Sequence, residues 1–129
     1  MFATGIQHNL QARHYLRGDF GDESQPHSHP YRVELICRTS RLDGNGFSTD
    51  IDLLESALST TLGEIDDVLL NDLPFFEDRQ PSLENLCVYI FESVKKVLAG
   101  TVDEIEIRIW ESATAWAAYS AALESGAHE

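Results

Sequence analysis

The chain has 129 residues, and its 22 acidic residues against 9 Lys plus Arg give a formal net charge of −13. With 43% hydrophobic and 24% charged residues, the composition is that of one globular domain with a modest core, which excludes a largely disordered chain. The acidic balance excludes a sequence-tolerant grip on DNA or RNA and disfavours anionic membrane surfaces, because both need a basic stripe facing phosphate.

No apolar stretch approaches the length of a membrane-spanning helix, and residues Met1 to Gly5 lack the basic and apolar regions of a secretion signal, so a cytoplasmic protein is expected. The first strand is read from His8 to Leu16, where alternation places His8, Leu10, Ala12, His14 and Leu16 on one face. Residues 17–26 are rich in turn formers and acids and read as a loop. A second strand runs from His27 to Arg38, with His27, His29, Tyr31, Val33, Leu35 and Cys37 on one side. Residues Asp43 to Gly46 supply a hairpin turn, after which Phe47 to Ile51 return as a short strand or as the start of a helix.

Ile51, Leu54, Leu58, Leu62 and Ile65 then recur at helical spacing, with Asp50 and Asp52 placed where carboxylates suit the helix dipole. Pro81 and Ser82 open a second helix whose stripe is Leu83, Leu86, Cys87, Ile90, Val94 and Val97, and Gly100 stops it. Ile105, Ile107 and Ile109 alternate with Glu104, Glu106 and Arg108 as a strand, and Trp116 to Tyr119 read as a last one. The expected architecture is α+β: a four-stranded sheet with two helices on one face. Its other face must be solvated or covered by another subunit. Cys37 and Cys87 fall inside apolar periodic segments and read as buried thiols rather than a disulfide framework.

Histidines carry the first chemical signal. His27 and His29 stand at i and i+2 on a strand, so both imidazoles point to one side, and His14 on the neighbouring strand adds a third nitrogen. Three protein ligands with one open position is the arrangement of catalytic Zn²⁺. The alternative is a hydrogen-bonded pair at a half-exposed strand start. His8 and His128 read as surface residues.

Taken in order, Leu10-Gln11-Ala12-Arg13-His14, His27-Ser28-His29-Pro30-Tyr31, Gly46 with Asp50-Ile51, Ile65-Asp66-Asp67 with Leu70-Asn71, Pro81-Ser82-Leu83-Glu84-Asn85 and Trp110-Glu111 resemble the motifs of the 6-pyruvoyltetrahydropterin synthase and 6-carboxytetrahydropterin synthase family. The resemblance spans nearly the whole chain. It implies a tunnelling fold (T-fold) in which subunits join their sheets into a barrel, commonly as a homohexamer built from two trimers. It also implies Zn²⁺ held by His14, His27 and His29, and a pterin ring anchored by Glu111. From alternation alone, Glu111 continues the inward row of Ile105, Ile107 and Ile109, where an ionised acid needs a partner, unless the strand has already emerged into solvent.

Two departures stand out. The family's usual Cys, four residues before the first His of the paired set, is Glu23 here, and the usual Asp-His pair reads Asp66-Asp67. A carboxylate serves as a general base when burial or a neighbouring acid raises its pKa, so Glu23, Asp66 and Asp67 are the candidate proton carriers. One subgroup of the family carries Glu in place of Cys and releases 6-hydroxymethyl-7,8-dihydropterin for folate synthesis.

The expected function is therefore a zinc-dependent lyase acting on the side chain of 7,8-dihydroneopterin triphosphate, serving folate or queuosine biosynthesis. The alternatives are a non-catalytic zinc- and pterin-binding T-fold protein or assembly subunit, and an acidic interaction domain with surface histidines. A triphosphate substrate needs local cations against the charge of −13.

Overall fold

The computed structural model describes residues 1–124, and its order is β1 (Phe2–His14), β2 (His27–Thr39), α1 (Ile51–Ile65), α2 (Leu83–Leu98), β3 (Glu104–Trp110) and β4 (Trp116–Ala122). All strand pairs are antiparallel, and the sheet order equals the chain order, β1-β2-β3-β4. Alternation is the reason one face closes. Leu10 and Ala12 of β1, Tyr31, Val33, Leu35 and Cys37 of β2, and Ile105, Ile107 and Ile109 of β3 are all buried beneath the two helices.

The helices start where their caps dictate. The Asp50 carboxylate accepts from the Asp52 N–H at 3.0 Å, and the Ser82 hydroxyl accepts from the Asn85 N–H at 3.1 Å. Leu54, Leu58, Leu62 and Ile65 bury one stripe of α1, while Leu86, Cys87, Ile90 and Val94 bury the matching stripe of α2. Gly100, with φ of 86°, takes the left-handed turn that ends α2. Val97 is exposed, and Leu98 fills the last core position of that helix instead.

Three sequence expectations shift. The first strand begins at Phe2, not His8, and ends at His14, not Leu16. Its early part has little apolar signal and forms because Phe2 to Gln7 pair with Thr39 to Glu34 across the ladder. Tyr15 leaves the ladder to exchange hydrogen bonds of 3.0 Å with the Asn71 side chain. Of the two readings of Phe47 to Ile51 the strand falls and the helix entry stands: Asp43 accepts from the N–H groups of Asn45 and Phe47, closing a tight loop that hands the chain directly to α1 at Ile51. The last strand runs on to Ala122.

The sheet face away from the helices carries a ladder of charge. Arg38 donates to Glu104 and to Glu106, each at 2.8 Å, and Arg108 reaches Glu106 at 2.7 Å. Arg108 and Arg32 lie over the Trp116 and Trp110 rings, 4.4 and 4.8 Å from their centroids. No helix among the described residues is long and apolar enough to cross a membrane. His8, expected at the surface, is half-buried with its Nε2 2.5 Å from Glu55. His128 lies outside the described residues.

Candidate functional site

The β1–β2 register sets His14 directly opposite His27 and Ala12 opposite His29, all at one end of the sheet. Period-two alternation then turns the three imidazoles to the same side. Their centroids are 4.6 Å (His14 to His27), 5.2 Å (His14 to His29) and 4.6 Å (His27 to His29) apart, with the rings steeply inclined to one another. Such an arrangement converges nitrogens on a point instead of stacking rings.

Second contacts fix which nitrogens converge. His14 Nδ1 lies 2.7 Å from the Pro81 carbonyl, and His27 Nδ1 lies 2.7 Å from the Gln25 carbonyl. A carbonyl only accepts, so each Nδ1 is the donor and each Nε2 is the nitrogen left to ligate. Both Nε2 atoms are buried and without a hydrogen-bond partner among the described residues. Orphaned buried acceptors are costly, and a cation at their meeting point removes that cost. Burial, opposed by the Pro81 hydrogen bond and reinforced by His27 and His29, holds the His14 imidazole below its ordinary pKa. The ring is therefore in its neutral, ligating form near pH 7.

Glu23 completes the cluster. Its carboxylate and one nitrogen of each of the three rings all lie within 4.8 Å of one another, the carboxylate 2.8 Å from His27 Nε2 without hydrogen-bond alignment. A short helical turn, Gly21–Ser24, holds it there. Leu16 N–H donates to the Glu23 carbonyl at 2.7 Å, and the Ser24 hydroxyl bridges the Phe20 N–H and the Gly18 carbonyl. Three histidines and a carboxylate suit a divalent ion such as Zn²⁺ by donor chemistry.

Glu111 departs from its expected place. β3 ends at Trp110, so Glu111 does not close the buried row. It stands exposed in the turn before β4, its N–H donating to the Ala115 carbonyl at 3.0 Å. There it lines a groove of about 700 Å³ with Tyr31, Arg32, Asp66 and Trp110. Tyr31 joins groove and cluster, since its ring also stacks on His29, centroids 5.4 Å apart.

Asp66 and Asp67 do not enter the cluster. Asp66 accepts from the Gln11 N–H at 2.8 Å, fixing the end of α1 on β1. Asp67, at φ of 57°, donates its N–H to the Gln11 carbonyl and faces Arg13 at 3.9 Å. Both cysteines are buried, and burial above all pushes each thiol up to about 12. Sequence reasoning missed the role of Tyr31, although its i+2 spacing from His29 carried the signal. It also missed the Pro81 and Gln25 carbonyls, which no side-chain pattern marks.

Residues 5–122 match the family model described as 6-pyruvoyl tetrahydropterin synthase. The chain belongs to the 6-pyruvoyl tetrahydropterin synthase family. As a member of this pterin-processing family it has the four-stranded sheet and paired helices of the T-fold. It is similar in fold to the Caenorhabditis elegans 6-pyruvoyl tetrahydropterin synthase, at 22% identity over 93% of this chain and 95% of that one, with a TM-score of 0.80. The Plasmodium vivax synthase aligns at 15% identity over 95% of this chain and 100% of that one, with a TM-score of 0.76. A variant of the same Plasmodium vivax synthase, described as a catalytic residue mutant with glutamate changed to alanine, aligns at 14% identity over the same shares with a TM-score of 0.74. No curated protein matches the sequence.

Proposed function

We propose that this member of the 6-pyruvoyl tetrahydropterin synthase family is a zinc-dependent lyase that cleaves a carbon–carbon bond in the side chain of 7,8-dihydroneopterin triphosphate, releasing 6-hydroxymethyl-7,8-dihydropterin. The observation that carries this reading is Glu23 standing among three histidines where the family usually has Cys. That the Plasmodium vivax relative has a glutamate described as catalytic supports it.

His14, His27 and His29 would hold the Zn²⁺, which when bound polarises substrate oxygens and stabilises negative charge on them. Glu111 receives the amino and ring N–H donors of the pterin in the groove, and Tyr31 and Trp110 wall it. Glu23 takes the proton of the 2′ hydroxyl. The electron pair of the 1′–2′ bond then passes toward the pterin ring as a carbonyl forms at 2′. The 1′ carbon is finally protonated, so the products are the hydroxymethyl pterin and a two-carbon aldehyde bearing the phosphates. Asp66 and Asp67 are occupied with backbone and arginine contacts, which leaves Glu23 as the one acid of the three beside the histidines.

The reading extends to a cytoplasmic homohexamer in folate or queuosine biosynthesis. A second reading, a non-catalytic zinc- and pterin-binding subunit, is favoured by the Glu23 side chain being 51% exposed, since the site as it stands does not enclose that carboxylate away from water. The test is to incubate zinc-loaded protein with dihydroneopterin triphosphate and identify the pterin product by mass. Hydroxymethyl-dihydropterin formed by the native chain, and lost in Glu23→Gln and His27→Ala, is the expected result. An intact substrate with one zinc bound per chain would instead establish the non-catalytic reading.

A further inference from the structure

A chain of charge −13 that binds a triphosphate must hold cations free for it. Several of the chain's arginines are committed. Arg13 faces Asp67, Arg38 and Arg108 sit in the carboxylate ladder of the outer face, and Arg32 lies over Trp110. Arg17 and Arg79 are different. Neither has a carboxylate within 4.0 Å among the described residues, and Asp78, adjacent to Arg79 in sequence, pairs with neither.

The fold brings the Arg17 side chain onto the backbone of Arg79 across 62 positions of sequence. The Arg17 guanidinium donates to the Arg79 carbonyl at 2.8 Å, and the Arg17 backbone grips the Gln80 side chain through hydrogen bonds of 2.7 and 3.0 Å. The Arg79 guanidinium rests over the Phe75 ring, 4.0 Å from its centroid, so it too is held in place. The strap that carries Arg79 is the one whose Pro81 carbonyl holds His14. Arg17 follows His14 by three residues, a reach of at most roughly 11 Å for extended chain. Two positioned, uncompensated guanidiniums beside the histidine cluster match the planar oxygen pairs of phosphate esters.

We infer that Arg17 and Arg79 form an anion subsite that takes the phosphate chain of the substrate while its pterin end lies against Glu111. This rests on the proposed reading of the site. The subsite explains how so acidic a chain accepts a polyanion: local donors, anchored by backbone contacts, replace a favourable global field.

The test titrates the zinc-loaded full chain with inorganic triphosphate at constant ionic strength, following heat and metal content together. Arg17→Gln and Arg79→Gln should each weaken binding about tenfold, the scale of one charge-assisted contact. Arg41→Gln, at the opposite end of β2, should leave it unchanged. His27→Ala, impaired in metal binding, should still bind triphosphate, because the arginines and not the metal hold it. Native binding in both arginine variants, absence of binding in the native chain, or loss of binding in His27→Ala would each overturn the inference. Circular dichroism checks that every variant is folded. Triphosphate binding that depends on both arginines, without turnover of dihydroneopterin triphosphate, would retain the subsite and reject the lyase. Turnover that is indifferent to both arginines would do the reverse.

Discussion

Tyr31 lies parallel to His29, the two rings 11° from coplanar with centroids 5.4 Å apart. His14 and His27 are each aimed by a backbone carbonyl, from Pro81 and Gln25. The His29 ring has no hydrogen-bond partner among the described residues, so the stack is what sets its orientation. Tyr31→Leu should therefore lower zinc affinity about tenfold, as loss of a ligand-orienting contact does, while Tyr31→Phe should retain it. Competition against a chromophoric chelator measures both. Equal affinity in the leucine variant would mean that His29 is aimed by something else.

Metal removal should destabilise the protein without unfolding it. The core formed by Leu35, Leu58, Ile90 and Ile107 owes nothing to the histidine cluster, but three converging rings are relieved only by a cation. At free zinc about 100-fold above the dissociation constant, linkage adds about 2.7 kcal/mol. A thermal melt should show a lower midpoint after chelation, with the far-ultraviolet circular dichroism spectrum unchanged at 25 °C. Collapse of that spectrum on chelation would make the metal a folding ligand.

Burial alone would raise the Glu106 carboxyl, but the hydrogen bonds from Arg38 and Arg108 outweigh it and hold the group below its ordinary pKa of 4.5. A depressed carboxyl stabilises the fold above the unfolded pKa and loses that contribution as pH falls through the folded value. Glu106→Gln should cost about 1–2 kcal/mol at pH 7. Urea unfolding should show the difference from the native chain constant above about pH 5 and shrinking below the ordinary carboxyl range. A difference that grows on acidification would contradict the assignment.

Cys37 and Cys87 should resist thiol reagents in the folded protein, since both are fully enclosed and their thiolates are suppressed at neutral pH. A chromogenic disulfide should report no reactive thiol in native buffer and two per chain in guanidinium. Fast reaction of either in native buffer would show that its helix or strand opens locally.

The elements with local signals were legible in the chain before any folding. Alternation in β2 put His27, His29 and Tyr31 on one face with Val33 and Leu35, and helical spacing picked out the buried stripes of α1 and α2, because both periods follow from backbone geometry a few residues long. The start of β1 depends instead on long-range pairing, since Phe2 to Gln7 are strand by virtue of their partners on β2. The same holds for the site. The register that sets His14 against His27, the turn that brings Glu23 to both, and the meeting of Arg17 with Arg79 join residues whose sequences carry no record of one another. Glu111 marks the boundary between the two kinds of information. Its alternation continued the buried row, but the strand stopped one residue earlier, because the turn to β4 claims the Glu111 N–H for Ala115.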